Sequence, residues 1–341
     1  MPSGKSNILP PPPFFDPTKA NQLRAINYQE IAEQAIAYRR QHGIKPAAAD
    51  RVKIGTMGID FQMTFDRFEL PVGGATEDGV RFAQFIYSNL WRLTRQIYTL
   101  DTHQTIQIFH QIFWVDAQGN HPAPGATMIT IDDVKNGRWM PNPAVAPALG
   151  MNYAVLQRYA QHYVNELARG GKYALTIWPY HGMLGGVGHA LMPTVEEAAF
   201  FHSIARTSQT EFQIKGGNPL TENYSVLAPE VMTGPSNEVI AQRNAKFLEL
   251  LLKLDVLVIG GEAKSHCVAW TINDLLTQIQ AQDSTLAQKV YLLEDCTSPV
   301  VIPGVIDFTQ QGNEAFDRFA AAGMHVVKST DPMETWPGIR L

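Results

Sequence analysis

Residues 256–276 read VLVIGGEAKSHCVAWTINDLL, and the change of pattern within this stretch decides the fold class. Val256 to Ile259 form a short uninterrupted aliphatic run, as expected of a strand buried on both faces of a parallel sheet. Gly260-Gly261 ends the run. Beyond it Val268, Ala269, Ile272, Leu275 and Leu276 recur at three- and four-residue steps, which predicts an amphipathic helix with Ser265 as its cap. Cys267 then falls in the first helical turn, where unpaired backbone N–H groups and the helix dipole favour thiolate over thiol. A cysteine so placed is either a nucleophile or ordinary core packing, and the choice rests on the remainder of the chain.

The 341 residues are enough to bury a large core, as one extended α/β domain or two smaller ones. A hydrophobic content of 45% and a charged content of 17% describe an ordinary soluble protein. The net charge of −5, with Lys and Arg scattered rather than clustered, leaves no electrostatic footprint for nucleic acid. Only two cysteines occur, Cys267 and Cys296, which does not resemble a secreted disulfide framework. Reduced thiols and a cytoplasmic location are expected. The opening MPSGKSNILPPPPFFDPTKA has four consecutive prolines and no apolar core of a signal peptide or membrane span, so it predicts an extended arm on the surface or on a partner subunit.

Further strands alternate with helical patterns along the chain. A helix is expected over 21–42, and VKIGTMGID then reads as the first core strand, ending at Asp60. An acid at the carboxyl end of a buried strand lies where open α/β sheets hold their ligands. A helix is expected over 79–94, followed by a strand at 97–101 that ends in Asp101, with His103 two residues on. Residues 115–150, including GNHPAPG and MPNPAVAP, carry little periodicity and read as a long loop over one face. After a helix near 151–168, KYALTIWPYHGM predicts a third strand that delivers His181 beside Asp101 and His103, a set able to hold a divalent metal. A helix from 195 to 205 precedes FQIKGG, a strand ending near Lys215. KVYLLED and MHVVKS supply the last strands. The expected architecture is a doubly wound α/β domain with a mostly parallel six-stranded sheet and helices on both faces.

In this order the chain resembles the isochorismatase-like cysteine hydrolases, and the nicotinamidases most among them. The opening acid with glutamine two residues on and an aromatic five on is matched by Asp60, Gln62 and Phe65, followed by Gly73-Gly74. The Asp-x-His metal motif is matched by Asp101 and His103, although the second histidine that often stands six residues past the first is here His110, seven past it. Trp178, Pro179 and His181 match the WPxH motif, with Gly182 in place of the usual cysteine. Lys215-Gly216 and Tyr224-Ser225 match the lysine segment, and Gly260 to Val268 the cysteine-bearing turn.

The resemblance implies a triad of Cys267, Asp60 and Lys215, in which the ammonium lowers the thiol pKa and Asp60 moves protons. It further implies an oxyanion site at the backbone of Ala263 and Cys267, with Ala263 following a cis peptide. A divalent ion, zinc foremost with iron or manganese as alternatives, would be held by Asp101, His103 and His181, and Phe65, Trp178 and Tyr224 would contact the substrate ring. The domain so defined spans 50–330, with an insertion at about 111–170, an arm and helix at 1–49 and a tail at 331–341. A homo-oligomer, dimer or tetramer, and a small-molecule amide substrate are expected, with no nucleic-acid or membrane partner. The substrate stays open between nicotinamide and another small amide, a carbamoyl compound or a vinyl ether; Glu262, where the family usually has an apolar residue, and the long insertion both bear on that choice. A non-catalytic binding protein on this fold would be expected to lack a triad member, and none is missing here.

Overall fold

Six strands form the central sheet of the computed structural model, which describes residues 8–341; the first seven residues of the expected arm lie outside the described residues. The strands are β1 (Ile54–Ile59), β2 (Leu93–Asp101), β3 (Glu211–Lys215), β4 (Val256–Gly261), β5 (Val290–Leu293) and β6 (His325–Val327). They lie in the order β6-β5-β4-β1-β2-β3, and every pairing is parallel. β1 and β4 are buried at every residue, the reason both read as continuous apolar runs instead of alternating ones.

The chain steps from β1 outward to β3, returns to the other side of β1 at β4, and steps outward again to β6. Right-handed crossovers then put α2 (Ala75–Ser88) and, after α3 (Tyr153–Arg169), α4 (Pro193–Arg206) on one face, and α1 (Tyr28–His42), which precedes β1, packs against α4 there. After α5 (Ala245–Leu252), the helices of the second half, α6 (Ala269–Gln282) and α7 (Thr309–Ala321), fall on the other face. The packing agrees: α4 lies against both α1 and α2, and α6 against α7. The reversal between β1 and β4 leaves a crevice beyond their carboxyl ends, the switch point at which such sheets bind ligands. Among the described residues no helix is long and apolar enough to cross a membrane.

Four expectations need correction. The run near residue 175 does not enter the sheet: Leu175–Thr176 pairs antiparallel with Met128–Ile129 from the insertion, outside the central sheet. Its composition is that of a strand, but composition does not specify the partner. The helix expected over 79–94 is Ala75–Ser88, because Asn89 turns its side-chain amide back onto Phe85 O at 3.0 Å and ends the helix. β2 therefore begins at Leu93, four residues early, where half-buried Thr94 and Arg95 obscure the strand pattern. The helix expected over 21–42 begins at Tyr28, where Asn27 accepts from Glu30 N as its cap. The described part of the arm lies on the chain's own surface, with Leu9 N donating to Ser88 O at 3.0 Å and Phe14 and Phe15 edge-on to Tyr87.

α4 is tied to the sheet by two buried polar side chains. His202 Nε2 lies 2.9 Å from Leu93 O, and Arg206 Nε donates to the same carbonyl at 3.1 Å while its Nη2 meets Asp50 Oδ1 at 2.6 Å. His202 is fully buried with no partner at Nδ1, and burial pushes its pKa down to about 4. The unfolded chain binds the proton first. His202 therefore contributes stability that is complete above about pH 6.5 and is lost as pH falls toward 4, a loss of roughly 3 kcal/mol. Urea midpoints measured between pH 7 and pH 4 should fall less steeply for His202→Gln than for the parent; parallel slopes would show that His202 does not drive the acid limb.

Candidate active site

The sheet's switch point collects the acids and the sulfur from both halves of the chain. Asp60 follows β1 with a positive φ of 48°, so the chain leaves the strand and turns its carboxyl into the crevice. Thr99 Oγ1 donates to Asp60 Oδ1, and Asp60 N donates to Thr99 O at 3.2 Å. Lys215 ends β3 two strands away. Its Nζ meets Asp60 Oδ2 at 2.9 Å, Asp101 Oδ1 at 2.9 Å, Asn223 O at 2.9 Å and Cys267 Sγ at 3.4 Å.

Cys267 is reached through β4, a cis Glu262–Ala263 peptide, and a five-residue π-turn over Lys264–Val268 that leads into α6. The expected Ser265 cap is absent. Ser265 Oγ instead accepts from Val300 N at 3.1 Å and lies 2.9 Å from His266 Nδ1, tying the turn to the loop after β5. Glu262 is fully buried, and its Oε2 accepts from Ser298 N at 3.3 Å, so a second contact holds that loop against the cysteine turn.

The charges in the crevice do not sum as the resemblance implied. Burial works against the Lys215 ammonium, but Asp101 and Asp60 outweigh it and hold the amine charged. Burial raises the Asp60 carboxyl, opposed by Lys215 and reinforced by Asp101. Burial likewise pushes the Cys267 thiol well above its ordinary value; Lys215 pulls it down, while Asp60 and Asp101 push it up. Lys215 thus acts on the thiol in the expected direction, and burial and the two carboxylates oppose it. One cation is shared by two carboxylates, and the sulfur keeps its proton until something accepts it.

Beside the triad stands a cluster of imidazoles. His103 Nδ1 lies 3.0 Å from His181 O, His181 Nδ1 2.7 Å from Pro179 O, and His110 Nδ1 3.2 Å from Thr105 O. A carbonyl only accepts, so each Nδ1 carries the ring proton and each Nε2 offers a lone pair. One ring nitrogen from each of the three lies within 4.8 Å of the others. His103 Nε2 and His110 Nε2 are buried with no hydrogen-bond partner among the described residues. Asp101 closes the set, with Oδ1 3.1 Å from His103 Nε2 and Oδ2 3.5 Å from His181 Nε2. Burial lowers the His103 pKa and favours the neutral ring, and it works against an ionised Asp101, where the Lys215 ammonium opposes it and the carboxyl is held well below the usual range. Lone pairs thus face a carboxylate across a gap that a divalent cation fits.

Asp101, His103 and His181 come together as the sequence predicts, and His110 joins them. Its one-residue displacement is absorbed in the loop before it, where Gln107 Oε1 accepts from Gln104 N at 3.0 Å, and an isolated bridge pairs His110 with Trp178. Gly182 also has a reason. It has a φ of 54°, and a Cβ there would stand 2.7 Å from Asp101 O, so the cysteine usual at this position would displace a metal-side residue.

The triad opens on a small cavity of about 20 Å³ lined by Phe65, Trp178, Tyr224, His181, Cys267 and Glu222. Ala263 borders it too. Trp178 Nε1 donates to Tyr224 Oη at 3.1 Å, fixing two of the three expected ring-contacting aromatics. Glu222 is absent from the sequence-predicted site: it lies two residues before Tyr224 and carries no pattern that marks it. A surface cleft of about 830 Å³ lies beside Lys53, Arg95 and Lys253 at the start of the strands and holds none of these groups.

Comparison with solved structures defines the fold. A nicotinamidase/pyrazinamidase from Acinetobacter baumanii superposes with a TM-score of 0.50 at 17% identity, covering 82% of this chain and 97% of that one. A yeast nicotinamidase superposes with a TM-score of 0.50 at 16% identity, covering 80% of this chain and 99% of that one. The chain thus has the isochorismatase-like hydrolase fold that the sequence resemblance implied. No protein-family model and no curated protein sequence matches it.

Proposed function

We propose that the protein is a cysteine amidohydrolase of nicotinamidase type, cleaving a small amide to the acid and ammonia. The observation that supports this most is the Lys215 ammonium, held at once against Asp60, Asp101 and the Cys267 sulfur in a closed crevice. A buried cation among two acids and a thiol, with a cavity beside them, is expensive for a merely structural core.

As Sγ attacks the amide carbonyl carbon, Asp60 takes the thiol proton, a transfer favoured by its raised pKa. Charge develops on the carbonyl oxygen, which the backbone N–H groups of Ala263 and Cys267, two residues that border the cavity, would stabilise. Asp60 returns the proton to the nitrogen as the C–N bond breaks, ammonia leaves, and a thioester remains on Cys267. Water then attacks the thioester with Asp60 again as base, and the acid departs with the thiol restored. Lys215 stays protonated throughout and keeps Asp60 and the sulfur in register. Asp101, His103, His110 and His181 would hold a divalent ion, which when bound supplies a Lewis-acid position for a substrate nitrogen or a water at the edge of the cavity. Phe65, Trp178 and Tyr224 would sandwich a flat ring.

Ammonia release from a panel of small aromatic amides, nicotinamide included, is expected for the parent and should fall by about a thousandfold or more in Cys267→Ala. Retention of activity in that variant would remove the nucleophile assignment. Elemental analysis of the purified protein should find close to one transition-metal ion per chain, and His103→Ala should lose most of it; a metal-free parent that hydrolyses amides at full rate would contradict the ligand set.

A further inference from the structure

The carboxyl of Glu222 shares the cavity with Cys267 and takes no part in the reaction sequence above. The residue is only 5% exposed, and its Oε2 is buried with no hydrogen-bond partner among the described residues. Its main chain is pinned: Glu222 N donates to the Tyr163 hydroxyl at 3.1 Å, and Glu222 O accepts from Glu230 N at 2.9 Å. The side chain is thus presented to the cavity by a fixed backbone.

No neighbouring cation is free to satisfy it. An ammonium has three N–H donors, and Lys215 already meets Asp60, Asp101, Asn223 O and the sulfur. Lys172 pairs with Glu230 at 3.0 Å. The Trp178 indole N–H lies against Glu222 but donates to Tyr224 Oη. A buried carboxyl oxygen without a donor is costly, and the cavity it faces is the place from which a donor can come.

We infer that Glu222 is a specificity-determining residue that selects, among small planar amides, those carrying a second N–H donor such as an amino group or a protonated ring nitrogen. The inference rests on the amidohydrolase reading for the reaction but not for the binding preference. The preference is for a donor because Glu222 acts as the acceptor. A carboxylate accepts at both oxygens, and a carboxylic acid still accepts at its carbonyl oxygen. An amide lacking the donor leaves Glu222 unpaired, and a pocket that must pair a buried polar group discriminates strongly against such analogues. The aromatic walls at Phe65, Trp178 and Tyr224 set the planar shape.

The test compares nicotinamide with its amino-substituted isomers. In the parent, kcat/KM by ammonia release should favour at least one amino isomer over nicotinamide by about tenfold or more. In Glu222→Met that ratio should collapse toward one, and in the isosteric Glu222→Gln, which serves if the Met variant does not fold, it should fall to an intermediate value. A ratio near one in the parent, or a ratio unchanged in both variants, overturns the inference. Calorimetric dissociation constants for the same pairs, measured in a Cys267→Ala background with and without Glu222→Gln, read the preference without chemistry. If no amide is hydrolysed yet the binding ratio behaves as stated, the reaction assignment fails and the Glu222 assignment stands. If amides are hydrolysed with no binding preference, the Glu222 assignment fails and the reaction assignment stands.

Discussion

A single ammonium, Lys215, is shared by two buried carboxylates and a thiol, and the rest of the crevice follows from that shortage of positive charge. Removing Asp60 and Asp101 from water costs several kcal/mol each, of which one ion can offset only part. Two consequences are visible. Burial and the two carboxylates push the sulfur toward the thiol, against the pull of Lys215. Asp101 also turns its remaining capacity toward His103 and His181, whose lone pairs face it, so the corner of the site farthest from the sulfur has room for a second positive charge. Asp101 is therefore the hinge between the triad and the imidazole cluster.

The fold makes this gathering inexpensive. Asp60, Asp101 and Lys215 each stand at or just beyond the carboxyl end of a strand, and β1, β2 and β3 are neighbours. Asp101 is level with Lys215 across the β2–β3 pairing, so the register alone brings the acid and the amine together. Cys267 arrives from the other half of the sheet, through β4, which borders β1 at the switch point. Glu262 and Ser265 then tie the turn that carries it to the loop after β5, through side-chain oxygens that accept from the loop's backbone N–H groups.

Much of this is legible in the residues. Buried parallel strands leave uninterrupted apolar runs, and β1 and β4 can be read with their terminal acid and glycines in place. The chemistry-bearing residues at strand ends are legible for the same reason. What fails does so where the deciding partner is remote in sequence. The run near Leu175 has strand composition, but its partner is Met128–Ile129 in a stretch with no periodicity. His110 stands one residue out of the expected spacing, and only the closed loop around Gln107 shows that the displacement is harmless. The thiol's protonation escapes the sequence because the dipole of one helix turn is a local quantity, whereas the sum over Lys215, Asp60 and Asp101 is a tertiary one. Glu222 gives no signal at all: an acid in a loop reads as solvated until the fold closes over it.

The claim on which everything else rests is that the Cys267 sulfur carries the acyl group. The direct measurement is an intact mass of the protein quenched in acid within the first turnovers on a hydrolysable amide, followed by peptide mapping. The expected result is a mass gain equal to the acyl fragment, confined to the peptide containing Cys267 and absent from the one containing Cys296. Turnover with no adduct at any quench time, or an adduct on another residue, would contradict it.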